Sequence, residues 1–190
     1  MSDNAPKVSV IIPVYNTGYY LRETLNSICT QTLEEQEIIL LNDGSTDGSM
    51  KIIEEYATKD SRIQYHTQPN QGLSVARNQA MKHATGKYIY FMDSDDLLER
   101  NALEQCDQTG AEQKLDFVFF DAEPILDSAR TENIPDYNRK EQIDENVWKG
   151  IDLLNYELDN QLFRTPVWLC FVNRQFLNKF FKRFPPGTIH

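Results

Sequence analysis

The chain has 190 residues, 40% of them apolar and 25% charged, which is material for one soluble domain with a real core. Its net charge of −10 argues against nonspecific binding to nucleic acid or anionic lipid. No apolar run reaches the eighteen or so residues of a membrane span, the polar N-terminus does not look like a secretory signal, and the cysteines Cys29, Cys106 and Cys170 are spaced for neither zinc nor a disulfide framework.

Val8 to Ile12 reads as a buried first strand, which Pro13 is expected to end because proline cannot donate to a central ladder. A turn from Tyr15 to Gly18 follows. Leu21, Leu25 and Ile28 then share one helix face. Glu37 to Leu41 reads as a second buried strand, and the loop Asn42 to Ser49 opens another helix, with Ile52, Ile53, Tyr56 and Ala57 as its apolar face. Arg62 to His66 alternates like a third strand. After the loop Gln68 to Gly72, Leu73, Ala76, Ala80 and Ala84 recur at helical spacing, with Gly86 placed as a C-terminal residue free to take positive φ. Lys87 to Met92 is a fourth strand, running into Asp93-Ser94-Asp95-Asp96.

The second half is less regular. Asn101 to Lys114 reads as a helix and Leu115 to Asp121 as a strand, while Glu123 to Asn146 lacks periodicity and is expected to be a long loop or mobile flap. Trp148 to Leu158 reads as a helix with Ile151, Leu154 and Leu158 as its apolar face and Asp152, Glu157 and Asp159 facing solvent. Pro166 to Val172 reads as a strand, and Phe176, Leu177, Phe180 and Phe181 as an amphipathic helix. Arg174, Lys179, Lys182 and Arg183 make this end basic, either as a solvated helix face or as a peripheral contact with anionic lipid.

Strand and helix alternate through the first hundred residues, the pattern of a mostly parallel, doubly wound α/β sheet flanked by helices. Ligands of such sheets bind beyond the carboxyl ends of the strands. Four polar loops stand there: Val14 to Gly18, Asn42 to Gly48, Asn70 to Leu73 and Asp93 to Asp96. Asp93 and Asp95 face one way if the strand geometry persists, and two adjacent carboxylates suit a hard cation, Mg²⁺ or Mn²⁺, which in turn holds a diphosphate. The bland alternative has the acids end a strand, with Asp96 capping a helix. Asp43 can accept from a base N–H or a ribose hydroxyl, or serve as a turn aspartate before Gly44. Tyr15 can stack on a base. Arg77 can pair with phosphate or with an acidic loop, Asp47 reads as a helix-start residue, and Asn78 as a surface or packing residue.

Val8 to Asn16 (VSVIIPVYN), Ile39 to Asp47 (ILLNDGSTD), Asn70 to Asn78 (NQGLSVARN) and Gly86 to Asp96 (GKYIYFMDSDD), in that order, resemble the family 2 glycosyltransferases of GT-A fold. The resemblance implies an inverting transfer from a nucleotide-diphosphate sugar, often a UDP-sugar, to a glycan or lipid-linked acceptor with Mn²⁺ or Mg²⁺. It matches Pro13 and Tyr15 to a nucleotide-contacting loop, Asp43 to the aspartate that reads uracil, and Asp93 and Asp95 to the D-x-D pair, with Asp95 the direct metal ligand. Ser94 between them joins the substrate-binding set, and Trp168 matches an aromatic near the acceptor, though core packing serves it equally well. Residues 1–100 are thus expected to form the nucleotide-sugar half and 101–190 the acceptor half of one continuous domain, working in the cytoplasm at the inner membrane face. The catalytic base of similar enzymes follows a segment like Phe184 to His190, so the base is expected beyond His190 and the chain is read as truncated. The alternative is a nucleotide-sugar-binding fragment without turnover. A phosphotransferase using Asp93 as nucleophile fits poorly, because its motif commonly follows a first strand and here follows the fourth.

Overall fold

The fold is that of a computed structural model, which describes residues 5–125, 137–139, 143, 147–163, 166–181 and 183–187. Its strands form where apolar runs allow burial on both faces. β1 (Val8–Val14) is buried at every position, and β2 (Gln36–Asn42) at all but one. β3 (Ile63–Thr67) alternates and lies at an edge. β4 (Tyr88–Phe91) is wholly buried. β5 (Phe117–Phe119) and β6 (Cys170–Asn173) complete one six-stranded sheet of order β3-β2-β1-β4-β6-β5. β1 pairs in parallel with both β2 and β4, β2 in parallel with β3, and β4 antiparallel with β6. The chain therefore starts in the middle, winds outward through β2 and β3, and returns to the other side of β1 as β4. That reversal opens a crevice at the carboxyl ends of the strands.

The helices behave as amphipathic spacing requires. In α1 (Leu21–Cys29) Leu21, Leu25 and Ile28 are fully buried, each contributing about 1.5–3 kcal/mol by apolar transfer. α2 (Ser49–Lys59) buries Ile52 and Ile53, and α3 (Leu73–Met81) buries Ala76 and Ala80. α4 (Ala102–Glu112), α5 (Gly150–Asp159) and α6 (Arg174–Phe180) follow, the last capped by Asn173, whose side chain accepts from the amides of Gln175 and Phe176. The segment expected as a strand at Pro166 to Val172 begins instead as a 3₁₀ turn, Val167–Leu169.

The chain groups into two compact units, Met1–Val118 with Cys170–His190, and Phe119–Leu169. In the second, Arg139 is 6% exposed and joins Asp121 at 2.8 Å and Glu157 at 2.7 Å. Glu157 is thus the buried residue of α5, while Ile151, Leu154 and Leu158 are exposed, against the faces expected from hydrophobic spacing; Asp152 and Asp159 are exposed as expected. A buried guanidinium needs its carboxylates, and that demand outranks the apolar pattern. Most of the flap expected at 123–146 lies outside the described residues.

Two small residues do different work from that expected. Pro13 lies inside β1, not at its end. β4 leaves β1 after Ile11, so beyond that point no ladder donor is needed on that side. Gly86 does not take positive φ. A Cβ there would lie 2.6 Å from the Ser9 nitrogen and 2.8 Å from the Val8 carbonyl carbon, so glycine lets the turn before β4 press against β1. Glu37 fastens the same junction, accepting from Ser9 Oγ at 2.6 Å and from the Thr85 amide at 2.7 Å. Gly86→Ala is expected to cost about 1–3 kcal/mol in overpacking. Denaturant unfolding measures it, and a wild-type midpoint would show that the contact yields freely.

Candidate functional site

The sheet topology gathers all four polar loops into one cleft. Its lining comes from Pro13, Val14, Tyr15 and Thr17 after β1, Asp43 after β2, Asn70 and Gly72 after β3, Leu73 and Ala76 at the start of α3, and Asp93, Ser94 and Asp95 after β4. Of the residues singled out from the sequence, Pro13, Tyr15, Asp43, Asp93, Ser94 and Asp95 all reach it. Trp168 belongs to the second unit, where its ring meets Tyr137 edge-on at 5.0 Å.

The loops are laced to one another. Asn16, in a left-handed conformation at φ 54°, accepts from the Thr46 amide at 2.8 Å. The Gly18 amide donates to Asp47 at 2.9 Å, and the other Asp47 oxygen accepts from the Ser49 amide. Burial opposes charge on Asp47, yet hydrogen bonds from Ser49 and Gly18 hold its carboxylate below the usual range. It therefore starts α2 as expected, and also ties α2 to the β1 loop. Thr17 Oγ1 donates to Ser94 Oγ at 2.9 Å, and Thr24 to the Ser94 carbonyl at 3.0 Å, which joins the β1 and β4 loops.

Asp43 is 2% exposed. One oxygen accepts from Gln68 Nε2 at 2.7 Å and the Gln71 amide at 3.0 Å, and the other from the Gly72 amide at 2.8 Å. The carboxylate thus holds the Gln68 to Gly72 loop and retains acceptor capacity, since it has about four lone-pair sites. Gly44 supports the same loop: at φ 75°, a Cβ would meet the Asn70 nitrogen at 2.7 Å. Asp43→Ala is therefore expected to cost about 2–4 kcal/mol of stability by orphaning these donors, whereas Asp43→Asn keeps an acceptor and loses less. Thermal melting of both variants checks this, and equal melting points would contradict it.

At the acidic loop, Arg77 Nη2 donates to Asp93 Oδ1 at 2.6 Å. Arg77 is 3% exposed, and its Nε has no hydrogen-bond partner among the described residues. The guanidinium stands behind the cleft, and of the two pairings read for it the one with the acidic loop is formed. Asp96 caps no helix, because α4 begins only at Ala102. Burial, then the charges of Asp93 and Asp95, push its carboxyl up to about 7. Three crowded acids with one arginine between them leave a negative site. Sequence reasoning missed Thr17, Asn70 and Gly72 as lining residues. Their loops were legible, but which member faces inward depends on the turns.

This arrangement has counterparts. The sequence pattern described as "Glycosyl transferase family 2" matches residues 9–167, and the chain belongs to that family. Over its full length it is 34% identical to the uncharacterized glycosyltransferase YibD of Escherichia coli, covering 55% of that protein. Over 98 residues, 52% of the chain, it is 49% identical to glycosyltransferase GlyA of Streptococcus pneumoniae, covering 14% of it. Its fold is similar to that of S. aureus TarS in complex with UDP, at TM-score 0.76 and 27% identity, over 94% of this chain and 50% of that one. The mannosyltransferase PcManGT from Pyrobaculum calidifontis, solved with GDP-Man and Mn²⁺, shares the fold at TM-score 0.67 and 21% identity, over 97% of this chain and 49% of that one. The mixed α/β sheet is thus of GT-A type. The chain spans between 14% and 55% of the length of these curated relatives.

Proposed function

We propose that the chain carries the donor site of a glycosyltransferase that moves a sugar from a nucleotide diphosphate, a UDP-sugar, to a glycan or lipid-linked acceptor with inversion. The observation that carries this reading is the single cleft uniting Asp43, Tyr15 and the Asp93–Asp95 pair. In it Asp43 takes the base, Tyr15, half exposed, offers a face for stacking, and Pro13 and Ser94 line the nucleotide path. The UDP in the structure of TarS supports the choice of nucleotide.

The residues present fit a hard divalent cation, Mn²⁺ or Mg²⁺. Asp95 is the direct ligand and Asp93, held by Arg77, the supporting carboxylate. No three His, Cys, Asp or Glu among the described residues form a metal-ligand cluster, and a cation held by these two carboxylates would take its remaining oxygens from diphosphate and water, as is usual for Mg²⁺. A cation bound there offsets the charge gained by the departing diphosphate. Arg77 holds Asp93 in place from behind the cleft.

Residues 1–100 form the donor half in this reading and 101–190 the acceptor half, with Trp168 on the acceptor side. We assign no catalytic base: the carboxylates that line the cleft, Asp43, Asp93 and Asp95, are all committed to donor or metal in this reading. That same observation favours, as a second reading, nucleotide-sugar binding by this stretch without turnover. Among the described residues no helix is long and apolar enough to cross a membrane. A cytoplasmic setting with peripheral contact at the inner membrane face would rest on Lys179 and Arg183, since Arg174 is turned inward onto the Gly86 and Thr85 carbonyls and Lys182 lies outside the described residues.

A thermal-shift panel of UDP-glucose, UDP-galactose, UDP-N-acetylglucosamine and GDP-mannose with Mn²⁺ tests the reading. A UDP-sugar at about 100 times its Kd adds about 2.7 kcal/mol and raises Tm by several degrees. No shift with any donor would overturn it.

A further inference from the structure

We propose that Asn78 is a positioning residue for the acidic loop, acting through the segment that follows α6. Its amide donates from Nδ2 to the Phe184 carbonyl and accepts at Oδ1 from the Phe184 amide, both at 2.8 Å. One side chain thereby satisfies both backbone groups of a residue 106 positions away. Asparagine inside a helix costs roughly 0.5 kcal/mol relative to alanine, and the clamp is what it supplies in return.

The clamp fixes a ring that touches both supports of the acidic loop. Phe184 is 7% exposed. Its ring meets Phe91, the last residue of β4, edge-on at 5.2 Å, and the Arg77 guanidinium lies over it at 5.5 Å. Arg77 in turn holds Asp93 at 2.6 Å. The guanidinium is thus set from three sides: its own helix, the carboxylate it pairs with, and the Phe184 face. The Nε that finds no hydrogen-bond partner makes that orientation depend on packing rather than on a second bond. Without the clamp the Phe184 ring keeps only its packing on Phe91 and Phe181, so Arg77 loses a fixed wall and Asp93 a fixed partner. The segment after α6 on this view supports the donor cleft from behind, from within the acceptor half of the chain. Asp43 and its loop lie outside this chain of contacts, held by Gln68, Gln71 and Gly72.

The functional half of this inference rests on the donor-site reading above, and the test separates the two. Hydrogen exchange is followed in wild type, Asn78→Ala, Asn78→Asp and Phe184→Leu, in peptides covering 88–98 and 36–48. UDP is titrated into each with and without Mn²⁺. In Asn78→Ala, exchange in 88–98 is expected to rise about tenfold, the loss of one hydrogen-bonded anchor, with 36–48 unchanged. The Mn²⁺-dependent gain in UDP affinity falls by a similar factor while metal-free affinity holds. Asn78→Asp, which keeps the acceptor for the Phe184 amide, falls between. If Asn78→Ala does not fold, Phe184→Leu, which preserves apolar burial, decides by the same readouts. Unchanged exchange in 88–98, or equal acceleration in both peptides, would overturn the proposal. If wild type binds no UDP, the donor-site reading fails and the exchange pattern alone decides the positioning role.

Discussion

Asp95→Asn is expected to remove the metal-dependent part of UDP binding, a loss of roughly 100-fold, because cation affinity at oxygen sites follows the charge of the ligand set. Asp95 lines the cleft beside Asp93, whose Oδ1 is already taken by Arg77. In the donor-site reading proposed above, Asp95 is the direct ligand and Asp93 the supporting carboxylate. Asp95 is one of the charges that push Asp96 up, so a neutral amide relieves crowding in the loop. The paired readout is UDP titration with and without Mn²⁺ and a thermal melt. Unchanged metal dependence in a folded variant would remove Asp95 from the metal.

Arg77→Met is expected to cost about 3 kcal/mol of stability, the lower end of the range for breaking a buried ion pair. Methionine fills much of the volume, so the loss is mainly electrostatic. The Arg77 side chain is 4% exposed and that of Asp93 28%, so the abandoned carboxylate recovers only part of its hydration. Adding Asp93→Asn to Arg77→Met should restore most of the loss, since it removes the charge left without a partner. Denaturant unfolding of the two singles and the double closes the cycle. A double variant no more stable than Arg77→Met would show that the pair is not what holds the loop.

The strands and the cleft were legible in the sequence because both rest on local signals. An apolar run followed at once by Asn42-Asp43-Gly44 or Asp93-Ser94-Asp95 marks a strand and its carboxyl-end loop without reference to anything distant. What escaped depended on contacts between distant segments. Pro13 inside β1 follows from where β4 stops, and Gly86 is glycine because β1 lies against it. Glu157 faces inward because Arg139 is buried beside it, which no helical periodicity records. Arg77 was compatible with phosphate or carboxylate until the fold placed Asp93 beside it. Asn78 read as a surface or packing residue, and its clamp escaped notice because its partner lies on the far side of α6 in sequence.

As proposed above, the cleft is a metal-assisted site for a uridine diphosphate. Calorimetric titration of UDP into the 190-residue chain, with GDP as control and with and without Mn²⁺, tests it most directly. The expected result is binding that Mn²⁺ tightens and that prefers UDP to GDP. Absence of binding by either nucleotide, or UDP binding indifferent to the metal, would contradict it.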